Sequence, residues 1–199
     1  KVYSRLTQVF LSNNKLGGQG MDHLEPVRKR VRAAAVGPPL PPWTQLATHA
    51  VGGLTEVGFA DETDLLLVVS SQGRGIFDCL TGHRVARDRT EPDDGWFDER
   101  RLRAFGFGPL EGKLIRLAGL HGGGLLRCGR DGWWLEAITL DWPDVNLLLG
   151  GPWGCIYDGT TAFAKLAVAR EVRAFGFSDT GETFVIATSS DLTVFAWAP

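Results

Sequence analysis

Residues 103–107 read Arg-Ala-Phe-Gly-Phe, and residues 173–177 repeat the same five amino acids. A weaker copy, Thr-Glu-Val-Gly-Phe, occupies residues 55–59. Each copy is followed by a short polar turn and then an apolar run. These runs are Leu65–Val69, Leu114–Leu117 and Phe184–Ala187. Because self-similar segments along a chain mark repeat architectures, the pattern predicts an all-β protein built from several similar sheets.

The first and last copies stay aligned beyond the shared motif without a gap. Ser70-Ser71 aligns with Thr188-Ser189, and Ile76-Phe77 aligns with Val194-Phe195. A shared hydrophobic register over successive strands indicates that both units pair their strands in the same way. The first unit is predicted as Leu54–Phe59, Leu65–Ser71, Gly75–Cys79 and His83–Arg87, and the second as Arg103–Gly108, Lys113–Gly119, Leu125–Cys128 and Trp133–Thr139. A degenerate third unit is expected over Val145–Val168, and the last over Val172–Phe177, Thr183–Ser189 and Leu192–Ala198.

The last unit shows only three strands before the sequence ends at Pro199. The segment Trp43–Ala50 has the length and position to supply the missing fourth strand. Closure of this kind removes a free sheet edge, which otherwise invites aggregation. The prediction is a small β-propeller-like fold of about four blades, with the last blade closed by residues 43–50. A partial ring that dimerises is the alternative architecture.

The C-terminal unit also carries a known pattern. Gly176–Thr183 reads as a strand–turn–strand opening, and Ser189–Trp197 contains Ser-x-Asp-x-Thr-Val-x-x-Trp. This stretch resembles a WD-repeat blade, although Gly73 replaces the aligned Asp in the first unit and no unit has the expected Gly-His pair. The resemblance implies that Asp191 fixes a tight turn as a structural residue. It also implies a platform for protein–protein contacts.

Residues 1–42 differ from the β region at 43–199 and are interpreted as a basic, Pro-rich arm. A helix is predicted over residues 22–35, with Asp22 as its cap, and Gly37–Pro42 ends it as an extended linker. The hypothesis for residues 1–20 is that they precede a natural start at Met21. The cluster Arg28, Lys29, Arg30 and Arg32 makes nucleic-acid contact an alternative function, although a solvated face is the favoured interpretation.

Chemical motifs are sparse along the sequence. The three cysteines, Cys79, Cys128 and Cys155, have no CxxC spacing and are expected to be buried reduced thiols in a cytoplasmic protein. The four histidines do not cluster, so no metal or cofactor is expected. His121 precedes a three-glycine run, but no Gly-x-Ser-x-Gly elbow accompanies it. No apolar run reaches the length of a membrane span, and the net charge of −2 makes nucleic acid an improbable general partner.

The best partner-binding candidates are acidic and aromatic. Asp93 and Asp94 lie in an acidic loop with Trp96 and Phe97 at its tip, and Trp134 follows another tryptophan in a predicted strand. On a strand, only one of two adjacent tryptophans faces the core. These five residues predict a non-catalytic protein-binding module or scaffold, including an inhibitor or immunity-type protein. The alternative is a hydrolase or lyase with a site in the central channel, where Glu56, Arg103 and Arg173 are the polar strand starts.

Overall fold

The computed structural model describes residues 24–90 and 95–198, and within them the chain is almost entirely β. The one α-helix of these ranges, α1, spans Glu25–Ala33. The strands are β1 Trp43–Ala50, β2 Leu54–Phe59, β3 Leu65–Ser70, β4 Gly73–Asp78, β5 His83–Asp88, β6 Phe97–Asp98, β7 Arg103–Phe105, β8 Leu114–Arg116, β9 Ala118–Gly119, β10 Trp134–Asp141, β11 Asp144–Gly150, β12 Phe163–Ala169, β13 Val172–Phe177, β14 Thr183–Thr188 and β15 Asp191–Trp197. No helix in this part of the chain is long and apolar enough to span a membrane.

The strands form four antiparallel sheets, which we number in chain order. Sheet I has the strand order β5-β4-β3-β2-β9, and sheet II has the order β6-β7-β8. Sheet III has the order β10-β11-β12, and sheet IV has the order β1-β15-β14-β13. The all-β prediction is therefore confirmed.

The first and last repeat units fold as the sequence predicts. β2 to β5 and β13 to β15 begin and end within two residues of their predicted bounds. β1 pairs with β15 in antiparallel register, from Trp43 opposite Trp197 to Ala50 opposite Asp191. The predicted pairing of residues 43–50 with the final strand is confirmed, because this strand covers the free edge of β15.

The prediction for the second unit is wrong at its C-terminal half. Trp134–Asp141 does not complete sheet II; it pairs with β11 and opens sheet III. Leu125–Cys128 makes only isolated bridges, between Leu126 and Phe177 and between Cys128 and Trp134. The chain leaves sheet II because β9 pairs with β2 of sheet I directly after β8. The glycine-rich stretch that follows then runs past sheets I and IV to reach sheet III.

The sheets stack face to face in the order III, IV, I and II. β14 shows why: Phe184 and Ile186 face sheet III, whereas Val185 and Ala187 face sheet I, as the two-residue period of a strand requires. A third hydrophobic cluster joins sheet I to sheet II through Leu67, Val69, Ile76, Ala104 and Ile115. Each internal sheet is thus buried on both faces, and sheets III and II are the two ends of the stack.

Helix α1 covers the outer face of sheet III. Val27 and Val31 are four residues apart, lie on one helical face and pack against Leu148 and Ile156. Arg30 donates to the carbonyl oxygens of Ile156 and Thr161, at 3.3 and 2.6 Å. The predicted helix exists over a shorter range and contacts the β region directly. Its predicted cap, Asp22, is outside the described residues.

Candidate functional site

The outer face of sheet II, at the other end of the stack, has no layer packed over it in the described part of the chain. Phe105 is 54% exposed and Leu114 is 48% exposed, and the two residues are direct cross-strand partners. Arg103 and Arg116 form the next pair along the same face and are both exposed. We call these four residues the sheet II face. The alternate residues of these strands, Ala104 and Ile115, point inward to sheet I. The four residues of the sheet II face therefore point away from the stack.

Among the described residues, the two arginines of the sheet II face have no acidic partner. Like charges directly opposite each other on neighbouring strands are destabilising, yet neither Arg103 nor Arg116 makes an ion pair within residues 24–90 and 95–198. Asp98 lies opposite Arg103 on the neighbouring strand β6, but its carboxylate pairs with Arg101 at 3.0 Å. The backbone N–H and guanidinium of Arg101 lower the pKa of the Asp98 carboxyl, so this carboxylate already has its cation.

A shallow cavity of about 350 Å³ lies against the same face. It is lined by Gly95, Trp96, Asp98, Arg101, Arg103, Phe105 and Leu114. The cavity combines an apolar floor with a basic rim. This is the chemistry that receives an apolar side chain flanked by acidic groups.

The predicted partner-binding loop is only partly exposed. Trp96 is 6% exposed and belongs to the cluster between sheets I and II, so its prediction as an exposed loop tip is wrong. The guanidinium of Arg74 lies over its ring, 4.4 Å from the centroid, and this cation–π contact adds to the apolar packing. Phe97 is half-buried. Asp93 and Asp94 lie outside the described residues, and their role stays a prediction.

The two adjacent tryptophans, Trp133 and Trp134, point to opposite sides, as the sequence predicts for neighbours on a strand. Trp133 is 5% exposed and makes an edge-to-face contact with Trp43, 6.1 Å between centroids. Trp134 is half-buried and packs on the cluster beneath α1. Its ring occupies the space above Gly150 that a side chain at that position would need. Trp134 therefore has a packing role that the sequence does not reveal.

Asp191 is the first residue of β15 and follows the turn from β14, next to the position that the WD-repeat resemblance implies. The turn is held mainly by the Thr188 hydroxyl oxygen, which accepts from the N–H groups of Ser190 and Asp191 at 3.3 and 3.0 Å. The Asp191 carboxylate accepts a hydrogen bond from the Ser190 hydroxyl. These contacts are local to the turn and support a structural role.

The hydrolase or lyase alternative requires Glu56, Arg103 and Arg173 to meet in one site, and the structure does not bring them together. Arg103 lies on the exposed sheet II face, and Arg173 donates to the carbonyl oxygen of Leu54 at 3.3 Å. Glu56 is fully buried and instead meets His121, 65 residues away in the chain. Sequence reasoning noted both residues separately but missed the pair, because only the contact of β9 with β2 brings them together.

The remaining reactive groups are dispersed. Cys79 is buried, and that burial raises the pKa of its thiol, whereas Cys128 and Cys155 are exposed, contrary to the expectation that all three are buried. Across residues 24–90 and 95–198, no group of three or more His, Cys, Asp or Glu side chains is arranged to hold a metal ion.

The basic cluster of the proposed nucleic-acid contact is largely engaged in the fold. Arg30 donates to the loop between β11 and β12 of sheet III, and Arg32 lies 3.5 Å from the Asp141 carboxylate.

Comparison with known proteins gave no relative: no family model, no curated protein and no solved structure matches this chain.

Proposed function

We propose that this protein is a non-catalytic protein-binding module, a propeller-like arc of four sheets whose free end receives the partner. The observation that carries the proposal is the sheet II face, where an exposed Phe105–Leu114 pair lies beside two exposed arginines that face each other and make no ion pair with the residues that the structure describes. Exposed apolar surface next to uncompensated charge is typical of interaction sites. The internal sheets supply a rigid base, because both of their faces are buried.

The chemistry of the face points to an acidic partner with an apolar anchor. Carboxylates on the partner relieve the repulsion between Arg103 and Arg116, and an apolar side chain fills the cavity over Phe105 and Leu114. A second copy docked symmetrically on this face would bring four arginines together, which disfavours self-association. An inhibitor or immunity-type protein, which masks another protein, fits this one-faced arrangement.

Affinity purification from the native host tests the proposal. The double variant R103E/R116E reverses the face, and the matched control R84E/R87E reverses two exposed arginines on β5. We expect a protein that the native chain and the control retain and that the face variant loses. Equal recovery by all three, verified as folded by circular dichroism, would contradict the proposal.

Size-exclusion chromatography with light scattering tests the alternative that a second copy of this chain occupies the sheet II face. A native dimer that becomes monomeric in the R103E/R116E variant would replace the proposed partner with a second copy of this chain. Charge reversal of Asp93 and Asp94 belongs to the same experiment. If these residues flank the binding site, their reversal also weakens partner recovery.

A further inference from the structure

A small cavity lies between β5, the outer strand of sheet I, and the end of β1 in sheet IV. Its volume of about 80 Å³ is well below that of a site for a drug-sized molecule, so it suits a small ion. None of the described residues that line it is an Asp or a Glu. Its polar and aromatic walls are formed by Ser70, Gln72, Arg74, Phe77, Arg84 and Arg87.

Two arginines of this cavity have no counter-charge in the described part of the chain. Arg84 and Arg87 are exposed, and neither forms an ion pair with a described residue. Arg87 donates to the side-chain oxygen of Gln72 at 3.4 Å, which holds its guanidinium beside the cavity. Arg74, by contrast, is paired with Asp88 at 2.8 Å. Since a guanidinium stays protonated, two permanent positive charges remain at one small cavity.

The equivalent place in sheet IV is filled by neutral side chains. The gap-free alignment of the first and last repeat units puts Thr193 of β15 at the position of Gly75 in β4. Thr193 lies opposite Thr48 of β1, and their hydroxyl oxygens are 3.2 Å apart. Gln45 donates to the Thr48 hydroxyl, also at 3.2 Å. These three polar side chains of sheet IV therefore satisfy one another.

Sheet I differs from sheet IV at all three positions. Gly75 has no side chain, and Arg87 lies opposite it, where sheet IV has Thr48. Arg84 takes the place of Gln45, because each lies opposite the aligned phenylalanine of its sheet. A mutually bonded set of neutral groups is thus replaced by an empty space and two cations.

The backbone does not require a glycine at position 75. Gly75 is not among the glycines with positive φ. A Cβ there would lie 3.4 Å from Cε2 of Phe77 and 3.7 Å from Cδ of Arg84, which are ordinary contact distances. Glycine inside a strand weakens the strand and often marks a place where a ligand approaches closely. The missing side chain keeps the cavity open beside Arg84.

We propose that this cavity binds a phosphate dianion, held by the guanidinium groups of Arg84 and Arg87. Guanidinium groups match phosphate oxygens in bidentate geometry, and a dianion neutralises both charges, which a single carboxylate does not. Gln72 is the positioning residue, because its side chain accepts from Arg87.

The phosphate cavity shares no lining residue with the cavity at the sheet II face, so this proposal does not depend on the proposed function. The R84E/R87E variant is expected to lose phosphate binding while it retains the protein partner. The R103E/R116E variant is expected to do the reverse. Failure of one proposal is therefore distinguishable from failure of the other.

Nuclear magnetic resonance of the arginine side chains tests the proposal. The full chain, labelled with ¹⁵N-arginine, is titrated with sodium phosphate in place of sodium chloride at constant ionic strength and a mildly alkaline pH, where phosphate is a dianion. A parallel titration uses sodium acetate. We expect a saturable shift of the Nε–H signals of Arg84 and Arg87 with phosphate and none with acetate. A titration with glycerol 3-phosphate identifies the source: tighter binding than that of inorganic phosphate assigns a phosphate monoester, and weaker binding assigns the free ion.

The G75T variant separates the space from the charges. It introduces the residue that sheet IV carries at the aligned position, so the fold should be at least as stable in urea unfolding. Phosphate binding should nevertheless weaken about tenfold or more, because the side chain occupies the cavity. R84Q is also expected to weaken it about tenfold. The matched control is R100Q, at an exposed arginine outside the cavity, and it should leave binding unchanged.

Two results would overturn the proposal. One is an equal response to acetate and phosphate, or phosphate binding that neither G75T nor R84Q alters. The other is a phosphate shift that appears only after the D93N/D94N change, because the acidic loop of this chain would then be the partner of the two arginines.

Discussion

The carboxylate of Asp64 connects the first and the last repeat units by hydrogen bonds. Asp64 lies in the turn before β3 and is 8% exposed. It accepts hydrogen bonds from the hydroxyls of Ser178, Thr180 and Thr183, at 2.7, 2.8 and 2.7 Å. Ser178 and Thr180 lie in the turn between β13 and β14, and Thr183 is the first residue of β14. The internal repeat aligns this turn with the turn of Asp64. The sequence predicts both turns but not their bonding, because the contact requires sheet I to stack on sheet IV.

The D64A variant is expected to destabilise the protein by about 2–3 kcal/mol, because it leaves buried hydroxyls without their acceptor. Urea unfolding monitored by tryptophan fluorescence measures the free energy. The matched control is D179A, since Asp179 is exposed and accepts a single bond, from the backbone N–H of Glu62 at 3.3 Å. Its expected cost is about 0.5 kcal/mol or less. Equal losses in both variants would show that the shared hydroxyl contacts do not matter.

Among the secondary-structure elements, the strands of six or seven residues were predicted from the sequence more accurately than the short ones. β2 to β4 and β13 to β15 are six or seven residues long and are buried along most of their length, so they appear in the sequence as apolar runs bounded by turn residues. β7 and β8 have only three residues each, too few for a period to appear. The transfer of Trp134–Asp141 to sheet III depends on the crossing segment before it, which carries no strand signal.

The closing strand β1 should contribute strongly to stability through its first residue. Trp43 is 3% exposed and contacts the rings of Phe177 and Phe184, at 5.5 and 4.9 Å between centroids. W43A is expected to cost about 3–5 kcal/mol, as other buried aromatic truncations do. W142A is the control, because Trp142 is 88% exposed. A loss in W43A as small as that in the control would mean that β1 does not anchor sheet IV.

At the scale of the molecule, the stack of four sheets decides what is available for binding. The repeats predicted similar sheets side by side, and alternation along β14 shows how one strand serves two neighbours. Which sheet ends the stack was not predictable, because it depends on the crossing segment after β8 and on α1. The acidic loop was a reasonable candidate by composition. Trp96 nonetheless packs inward, and the exposed apolar pair lies on the strands beside it.

Hydroxyl-radical footprinting with mass spectrometry, performed on the purified monomer, tests the free end of the stack most directly. We predict that Phe105 and Leu114 oxidise readily, while Phe177 and Phe184, both at most 1% exposed, stay protected. Protection of Phe105 and Leu114 in the monomer would mean that another part of the chain covers sheet II, and the proposed binding face would not exist.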